Sequence, residues 1–373
     1  MKSLIRRIAG AGISLGEGVF RPGTLRNAQR SYKFLIPQFQ SALGSVVHAT
    51  PLIEALAAAL PGAEIIVVGE AFAEQIYSSN PHVSKLLRIP SPLKDFKGAV
   101  QAMRAQRLFD GEAFTTLFTA GNERTRVTIW AMLATASRRM GFSVAPELMH
   151  AHVRWNPEGS QISNNLGLLG QLGLPVPLMV EPRIYVAERA AAEAEERLLA
   201  LGAAADRKRV VLVTQTSPTQ RKQWRSERFL ALAHAMYKEE NADLIFVGTD
   251  KEAPAIDALR GQLGFPTISV AGKTGIHELA AILTRCDMGV TLDTGPLHVG
   301  RAVGLPMVVI APAWSPVHEW LPMDNPHYRI FKNLDMLPPA HDDYVIDEVH
   351  VEEVTAAAHD LLKNDVMADR TRR

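Results

Sequence analysis

Met288-Gly289-Val290-Thr291-Leu292 runs directly into Asp293-Thr294-Gly295-Pro296-Leu297-His298, and the chain returns to a second apolar run at Met307-Val308-Val309-Ile310. Short β-branched runs bounded by turn residues have the length of buried strands, and Leu297–Val303 between them reads as a helix. Strand, crossover helix and strand form the unit from which parallel sheets are built. The same half is expected to hold strands at Val210–Thr214, Leu244–Val247 and Thr267–Val270, with helices near Glu227–Glu239, Ala253–Leu263 and Ile276–Thr284. Upstream the alternation recurs. Strands are expected at Lys33–Pro37, Glu64–Gly69, Leu87–Ile89 and Phe114–Phe118, and helices near Thr50–Leu60, Phe72–Ser78, Lys94–Gln106 and Thr125–Ala134.

Between the halves, Gly173-Leu174-Pro175-Val176-Pro177 and Glu181-Pro182 cannot continue a helix and read as a linker, followed by an Ala/Glu/Arg helix from Ala187 to Leu201. The expectation is an α/β fold of two doubly wound Rossmann-like domains facing an interdomain cleft. Residues 33–180 form the first domain and 181–340 the second. A basic arm, 1–32, precedes them; an acidic stretch, a helix over Val351–Asn364 and a basic tail fill 341–373.

The 373 residues suit two domains at roughly 100–200 residues each, and a hydrophobic share of 47% supplies both with a core. Forty Lys+Arg against 39 Asp+Glu leave a formal charge of +1, which excludes a disordered tail, a collagen-like chain and a nucleic-acid binder working by bulk charge. Charge is nevertheless uneven. From Met1 to Ile53 seven bases face one acid, Glu17. Such an arm is either a leader without a partner or a peripheral contact for an anionic membrane surface, worth about 1 kcal/mol per well-placed charge. The single Cys286 excludes an intramolecular disulfide and a Cys-rich zinc site. No apolar stretch reaches the 18 or so residues that span a bilayer, and Ile8–Leu15 is short and Gly-interrupted, so a cytoplasmic chain is expected. With no Walker A loop, no HxxxH pair and no GxSxG elbow, neither metal nor cofactor is expected.

Three strand-to-helix loops carry candidate chemistry. Ser41 to Pro51 is read as leaving the first strand and entering the first helix, with Gly44 allowing close approach and the helix N-terminus near His48 and Thr50 offering N–H groups to an anion or hydroxyl. Thr214 to Trp224 gathers hydroxyls and two cations, Arg221 and Lys222, ahead of a helix near Ser226, the groups a phosphate cradle needs. Leu292 to Gly300 places Asp293 and Thr294 at a turn, Gly295 at a point of close approach and His298 in the first helical turn.

Taken together, Leu43-Gly44-x-Val46-Val47-His48-x-Thr50-Pro51, Pro61-Gly62-Ala63-Glu64-Ile65, Lys222-x-Trp224 and Asp293-Thr294-Gly295-Pro296-Leu297-His298 resemble glycosyltransferase family 9, the lipopolysaccharide heptosyltransferases. Arg138-Arg139-Met140-Gly141-Phe142 and Gly272-Lys273-Thr274 add to the likeness, which runs from residue 33 to about 335 and draws little from 143–172. The resemblance implies a GT-B fold with an N-terminal acceptor domain and a C-terminal nucleotide-sugar domain, and inverting, metal-independent transfer of a sugar, heptose from an ADP-activated donor, to a lipopolysaccharide-core or related glycan at the inner membrane. It implies that Lys222 neutralises the donor diphosphate, that Asp293, Thr294, Gly295 and His298 line the donor site, that Thr216 or Ser217 adds hydroxyl contacts, and that Glu252 accepts the ribose hydroxyls.

One position departs. Where the family carries an Asp that deprotonates the acceptor hydroxyl, this chain has Ser45. A serine hydroxyl takes up no proton near neutral pH, and positioned base catalysis is typically worth about 10²–10⁴-fold. Three explanations stay open: another group substitutes, with His48, Glu70 and Asp110 as candidates; the acceptor is unusual; or transfer is lost and the chain only binds a nucleotide-sugar. An epimerase-like enzyme shares the fold but needs a catalytic carboxylate or His pair that the sequence does not place.

Overall fold

Each half of the chain is organised around a six-stranded, fully parallel sheet. The computed structural model describes residues 32–40, 42–108, 114–121, 123–135, 137–216, 221–314, 317–323, 325–332 and 344–363. The basic arm to residue 31, Asp110, Ser217, the start of the acidic stretch and the tail from 364 lie outside them. Compact units meet in sequence at Pro182 and Arg183.

In the first unit, β1 (Lys33–Gln38), β2 (Glu64–Gly69), β3 (Lys85–Arg88), β4 (Thr115–Phe118), β5 (Arg138–Gly141) and β6 (Ala151–His152) lie in the order β3-β2-β1-β4-β5-β6. Among the described residues, α1 (Leu43–Val47), α2 (Thr50–Ala59), α3 (Ala71–Tyr77), α4 (Phe96–Ala105) and α5 (Thr125–Ala134) lie between these strands, and α6 (Gln161–Gln171) follows β6. The second unit repeats the scheme. Its strands β7 (Lys208–Val213), β8 (Ala242–Phe246), β9 (Ile268–Ser269), β10 (Met288–Leu292), β11 (Met307–Ile310) and β12 (Tyr328–Phe331) are ordered β12-β11-β10-β7-β8-β9. Helices α7 (Glu188–Ala200), α8 (Ser226–Glu239), α9 (Ala253–Arg260), α10 (Ile276–Leu283), α11 (Gly295–Ala302), α12 (Val317–Trp320) and α13 (Val351–Lys363) belong to it.

Each sheet builds outward from its first strand in one direction, then returns to that strand and builds in the other. The reversal falls between β1 and β4 in one unit and between β7 and β10 in the other. There, successive crossover helices depart to opposite faces, which opens a crevice at the carboxyl ends of the two strands. Central strands are buried on both faces, which is why they appear in the sequence as unbroken apolar runs.

Several elements escaped the sequence pattern. β5 opens on Arg138-Arg139, and Arg139 is buried with its Nε donating to the Leu148 carbonyl at 2.8 Å, so a strand is disguised by charge. Two glycines and several Ser/Asn residues lower the intrinsic helicity of α6, which forms because Ile162, Leu166 and Leu169 bury one stripe. The loop expected over Ser41–Pro51 is also corrected: Leu43–Val47 is a helical turn with Val46 and Val47 in the core. Its end feeds α2, with the Thr50 hydroxyl donating to the Val47 carbonyl at 2.8 Å. Thr50, Pro51, Leu52 and Ile53 at the start of α2 are buried, so its first turn faces the core.

Residues 344–363 are integral to the second unit. Ile346 bridges Trp224, the Trp224 indole donates to the Val349 carbonyl at 2.9 Å, and Phe229 packs edge-on against the indole at 4.8 Å. Arg225 pairs with Asp347, and Arg228 donates to the carbonyls of Ile346, Asp347 and Val349. Val354, Ala358 and Leu361 of α13 join the same core. Among the described residues no helix is long and apolar enough to cross a membrane.

Trp224 is fully buried and joins the segment before α8 to the C-terminal segment. Trp224→Ala should lower the unfolding free energy by about 3–5 kcal/mol through the cavity it leaves, measured by urea denaturation. A loss below about 1 kcal/mol would contradict this account of the core.

Candidate functional site

The loops after β7 and β10 meet at the reversal of the second sheet. Lys222 Nζ donates to Asp293 Oδ2 at 2.7 Å and to the Asp293 carbonyl at 3.0 Å. The Asp293 carboxylate is almost fully buried while the lysine keeps 15% exposure, so the pair sits at the mouth of the crevice. Trp314 holds the ammonium 5.6 Å from its ring and donates to the Arg221 carbonyl at 3.0 Å. Removing one partner of such a pair strands a charge in low dielectric, at a cost of about 3–5 kcal/mol.

A second lysine belongs to this centre. Lys332 donates to the carbonyls of Pro312 and Ala313 at 2.6 and 2.9 Å. Burial holds its pKa below the usual lysine range, Asp293 and Glu348 counteract that, and Lys222 adds to it. Tyr344 closes the group: its hydroxyl donates to Glu348 Oε1 at 2.6 Å and accepts from the Ala313 N–H at 3.1 Å, and burial together with Glu348 raises its pKa.

Helix α11 begins beside the ion pair. Thr294 is its N-cap in extended backbone (φ −142°, ψ −179°), Pro296 lies in the first turn, and no side chain caps the helix. First-turn N–H groups at such a terminus attract anions. His298, one turn in, is buried with its ring 5.8 Å from Trp320. Burial pushes its pKa down to about 4, against the opposing pull of Asp293, so near neutral pH it is an uncharged imidazole. Across the reversal, Thr216 is buried and the hydroxyl of buried Thr214 has no hydrogen-bond partner among the described residues. Glu252 stands apart at the entry to α9, where Oε2 accepts from the Thr249 N–H at 2.7 Å and its hydroxyl at 2.9 Å.

In the first unit the corresponding loops follow β1 and β4. Ser45 lies buried in α1, and Gln161, the first residue of α6, donates to its hydroxyl at 3.5 Å. Asn165, one turn further along α6, is fully buried: its Oδ1 accepts from the Ala120 N–H at 2.8 Å and its Nδ2 donates to the His48 carbonyl at 2.9 Å, tying the two loops together. Gln38 and Gln40 both donate to the Thr119 hydroxyl, at 3.0 and 3.3 Å. The His48 ring is fully buried beneath the turn that carries Gly44. Glu70 is engaged by Lys94, which reaches both carboxylate oxygens at 3.2 Å.

Sequence reasoning placed Lys222 and Asp293–His298 in separate loops, and the fold brings them together. It missed Lys332, Gln161 and Asn165, which lie in segments without a recognisable motif and acquire their roles only through partners remote in sequence. Among the described residues no cluster of His, Cys, Asp or Glu is arranged to hold a metal ion.

The model of Glycosyltransferase family 9 (heptosyltransferase) matches residues 115–325. Lipopolysaccharide core heptosyltransferase OpsX of Haemophilus influenzae is 24% identical over 100 residues, which is 26% of this chain and 28% of that protein. Lipopolysaccharide heptosyltransferase 3 of Escherichia coli is 22% identical over 330 residues, covering 84% of this chain and 93% of that one. The solved family 9 glycosyltransferase of Veillonella parvula superposes with a TM-score of 0.80 at 21% identity, covering 90% and 98% of the two chains. The structure of E. coli heptosyltransferase WaaC with ADP gives 0.66 at 16%, covering 88% and 99%. The fold is GT-B.

His298 yields a pH signature. Its folded pKa is depressed, so the unfolded chain binds the extra proton, and stability present above about pH 6.5 should fall as pH drops towards 4. The contribution is roughly 3 kcal/mol. His298→Asn should flatten the stability curve across that window in denaturant titrations; an unchanged slope would show that His298 is not held neutral.

Proposed function

Because the chain belongs to glycosyltransferase family 9, the heptosyltransferases, we propose that it is an inverting, metal-independent transferase that moves heptose from an ADP-activated donor to a lipopolysaccharide-core or related cell-surface glycan. In this reading the second unit, from Arg183, takes the nucleotide-sugar and the first takes the acceptor. A lipid-linked acceptor puts the reaction at the cytoplasmic face of the inner membrane, with the basic arm as the peripheral contact.

The observation that carries the proposal is the Lys222–Asp293 pair at the β7/β10 reversal beside the uncapped start of α11. Transfer forms a bond from the acceptor oxygen to the anomeric carbon, while the bond to the diphosphate breaks and its electron pair leaves on the diphosphate oxygen. Negative charge grows on that leaving group. Lys222, held at the mouth of the crevice, and the N–H groups of α11 are fixed before the charge appears, so they stabilise it without reorganisation. Neutral His298 offers a ring N–H to the same anion without requiring a second buried cation. The free oxygen of Glu252 suits a ribose hydroxyl, and Thr294, Gly295 and Thr216 complete the donor side, with Ser217 beside them in sequence.

A second reading rests on Ser45: a homologue that binds the nucleotide-sugar and transfers nothing. The two separate on turnover. Wild-type protein incubated with ADP-heptose and heptose-deficient lipopolysaccharide should release ADP and extend the acceptor. Lys222→Met should lower kcat by about 10²–10³-fold, with Lys222→Met/Asp293→Asn as the control that restores charge balance. Binding of ADP without turnover, converted to turnover by Ser45→Asp, would establish the second reading; absence of both binding and turnover would sink the proposal.

A further inference from the structure

We propose that Glu123 takes the proton of the acceptor hydroxyl, at the place in the fold where Ser45 supplies no carboxylate. The inference rests on reading the first unit as the acceptor side. The segments after β1 and β4 flank the crevice at the sheet reversal: Ser45 follows β1, and Thr119 to Gly121 with Glu123 and Arg124 follow β4.

Gly121 brings the two loops into contact. It sits in left-handed backbone (φ +83°), and a Cβ there would lie 2.9 Å from the Ser45 hydroxyl oxygen and 2.8 Å from Gln161 Nε2. Only a residue without a side chain lets the turn lie against Ser45. The turn is closed by Glu123, whose Oε1 accepts the Gly121 N–H at 2.8 Å. A half-buried carboxylate is thereby folded back onto the residue that packs against Ser45.

Among the described residues, Glu70, Glu74 and Glu54 are engaged elsewhere. Lys94 engages both oxygens of Glu70, Arg88 pairs with Glu74 at 3.1 Å, and Asn80 and His82 hold Glu54 at 3.2 and 3.5 Å. Glu123 has no cationic partner among the described residues, and its second oxygen is unengaged there. At the same Gly121–Ser45 contact, Gln161 is 2% exposed and its Oε1 has no hydrogen-bond partner among the described residues, although its Nε2 is directed at Ser45. A buried carboxamide oxygen of this kind calls for a donor, and a sugar acceptor brings several hydroxyls. Ser45 and Gln161 then orient the acceptor, and Glu123 receives the proton.

The step balances with donor and acceptor alone. The hydroxyl proton passes to Glu123 Oε2, the oxygen lone pair forms the new C–O bond at the anomeric carbon, and the old C–O bond breaks with its pair on the diphosphate.

Glu123→Gln keeps an acceptor for the Gly121 N–H and removes only the basic oxygen. It should lower kcat by about 10²–10⁴-fold, leave ADP affinity unchanged, and erase the acid limb of the pH–rate profile. Glu123→Ala should recover at least tenfold in rate with added formate. A Glu123→Gln rate within threefold of wild type, a retained acid limb, or Glu123→Ala that ignores formate overturns the assignment while wild-type turnover leaves the transferase reading intact. Wild-type protein that binds ADP and turns over no donor–acceptor pair overturns both.

Discussion

The reversal of strand order in each parallel sheet is the constraint on which the rest of the molecule depends. β4 returns to lie beside β1, and β10 returns to lie beside β7, so in each unit two loops distant in sequence emerge side by side at the carboxyl edge. In doubly wound sheets such a reversal opens a crevice at the carboxyl ends of the strands. Polar side chains gather there because the apolar layers on either face leave no other place for them. The molecule uses the device twice, once around Ser45 and once around Lys222.

The two crevices differ in chemistry. At β7/β10 a buried carboxylate fixes an ammonium beside a helix start, and a second lysine is held by carbonyls nearby. Those groups are suited to a spread of negative charge. At β1/β4 the described polar groups include the amides and hydroxyls of Gln38, Ser45, Thr119 and Gln161 together with the Glu123 carboxylate, suited to hydroxyl-bearing ligands. The contrast agrees with a donor that carries a diphosphate and an acceptor read through its hydroxyls.

Packing keeps both loop pairs in place. The C-terminal segment holds the stretch after Lys222 through Trp224, Arg225 and Arg228, and its Tyr344 reaches the Ala313 N–H beside Trp314. Asn165 does the same for the first unit, satisfying one N–H and one carbonyl from different loops. These ties have no counterpart in local sequence. Arg139 within β5 and the Asn- and Gly-rich α6 read as polar surface until their partners are known.

The sequence by itself determined the alternation of strand and helix and the loop Asp293–His298, because strands buried on both faces must be continuously apolar and a strand-to-helix turn needs its own residue types. It also fixed the absence of a carboxylate at position 45. Tertiary structure alone decided which loops meet. The pairing of Lys222 with Asp293 spans 71 positions, and that of Gln161 with Ser45 spans 116. No local pattern encodes such contacts, since they follow from the order in which strands dock, which depends on burial summed over the whole unit. For the same reason Glu123 is only a polar residue after a strand in the sequence, and in the fold it is the carboxylate whose turn lies against Ser45.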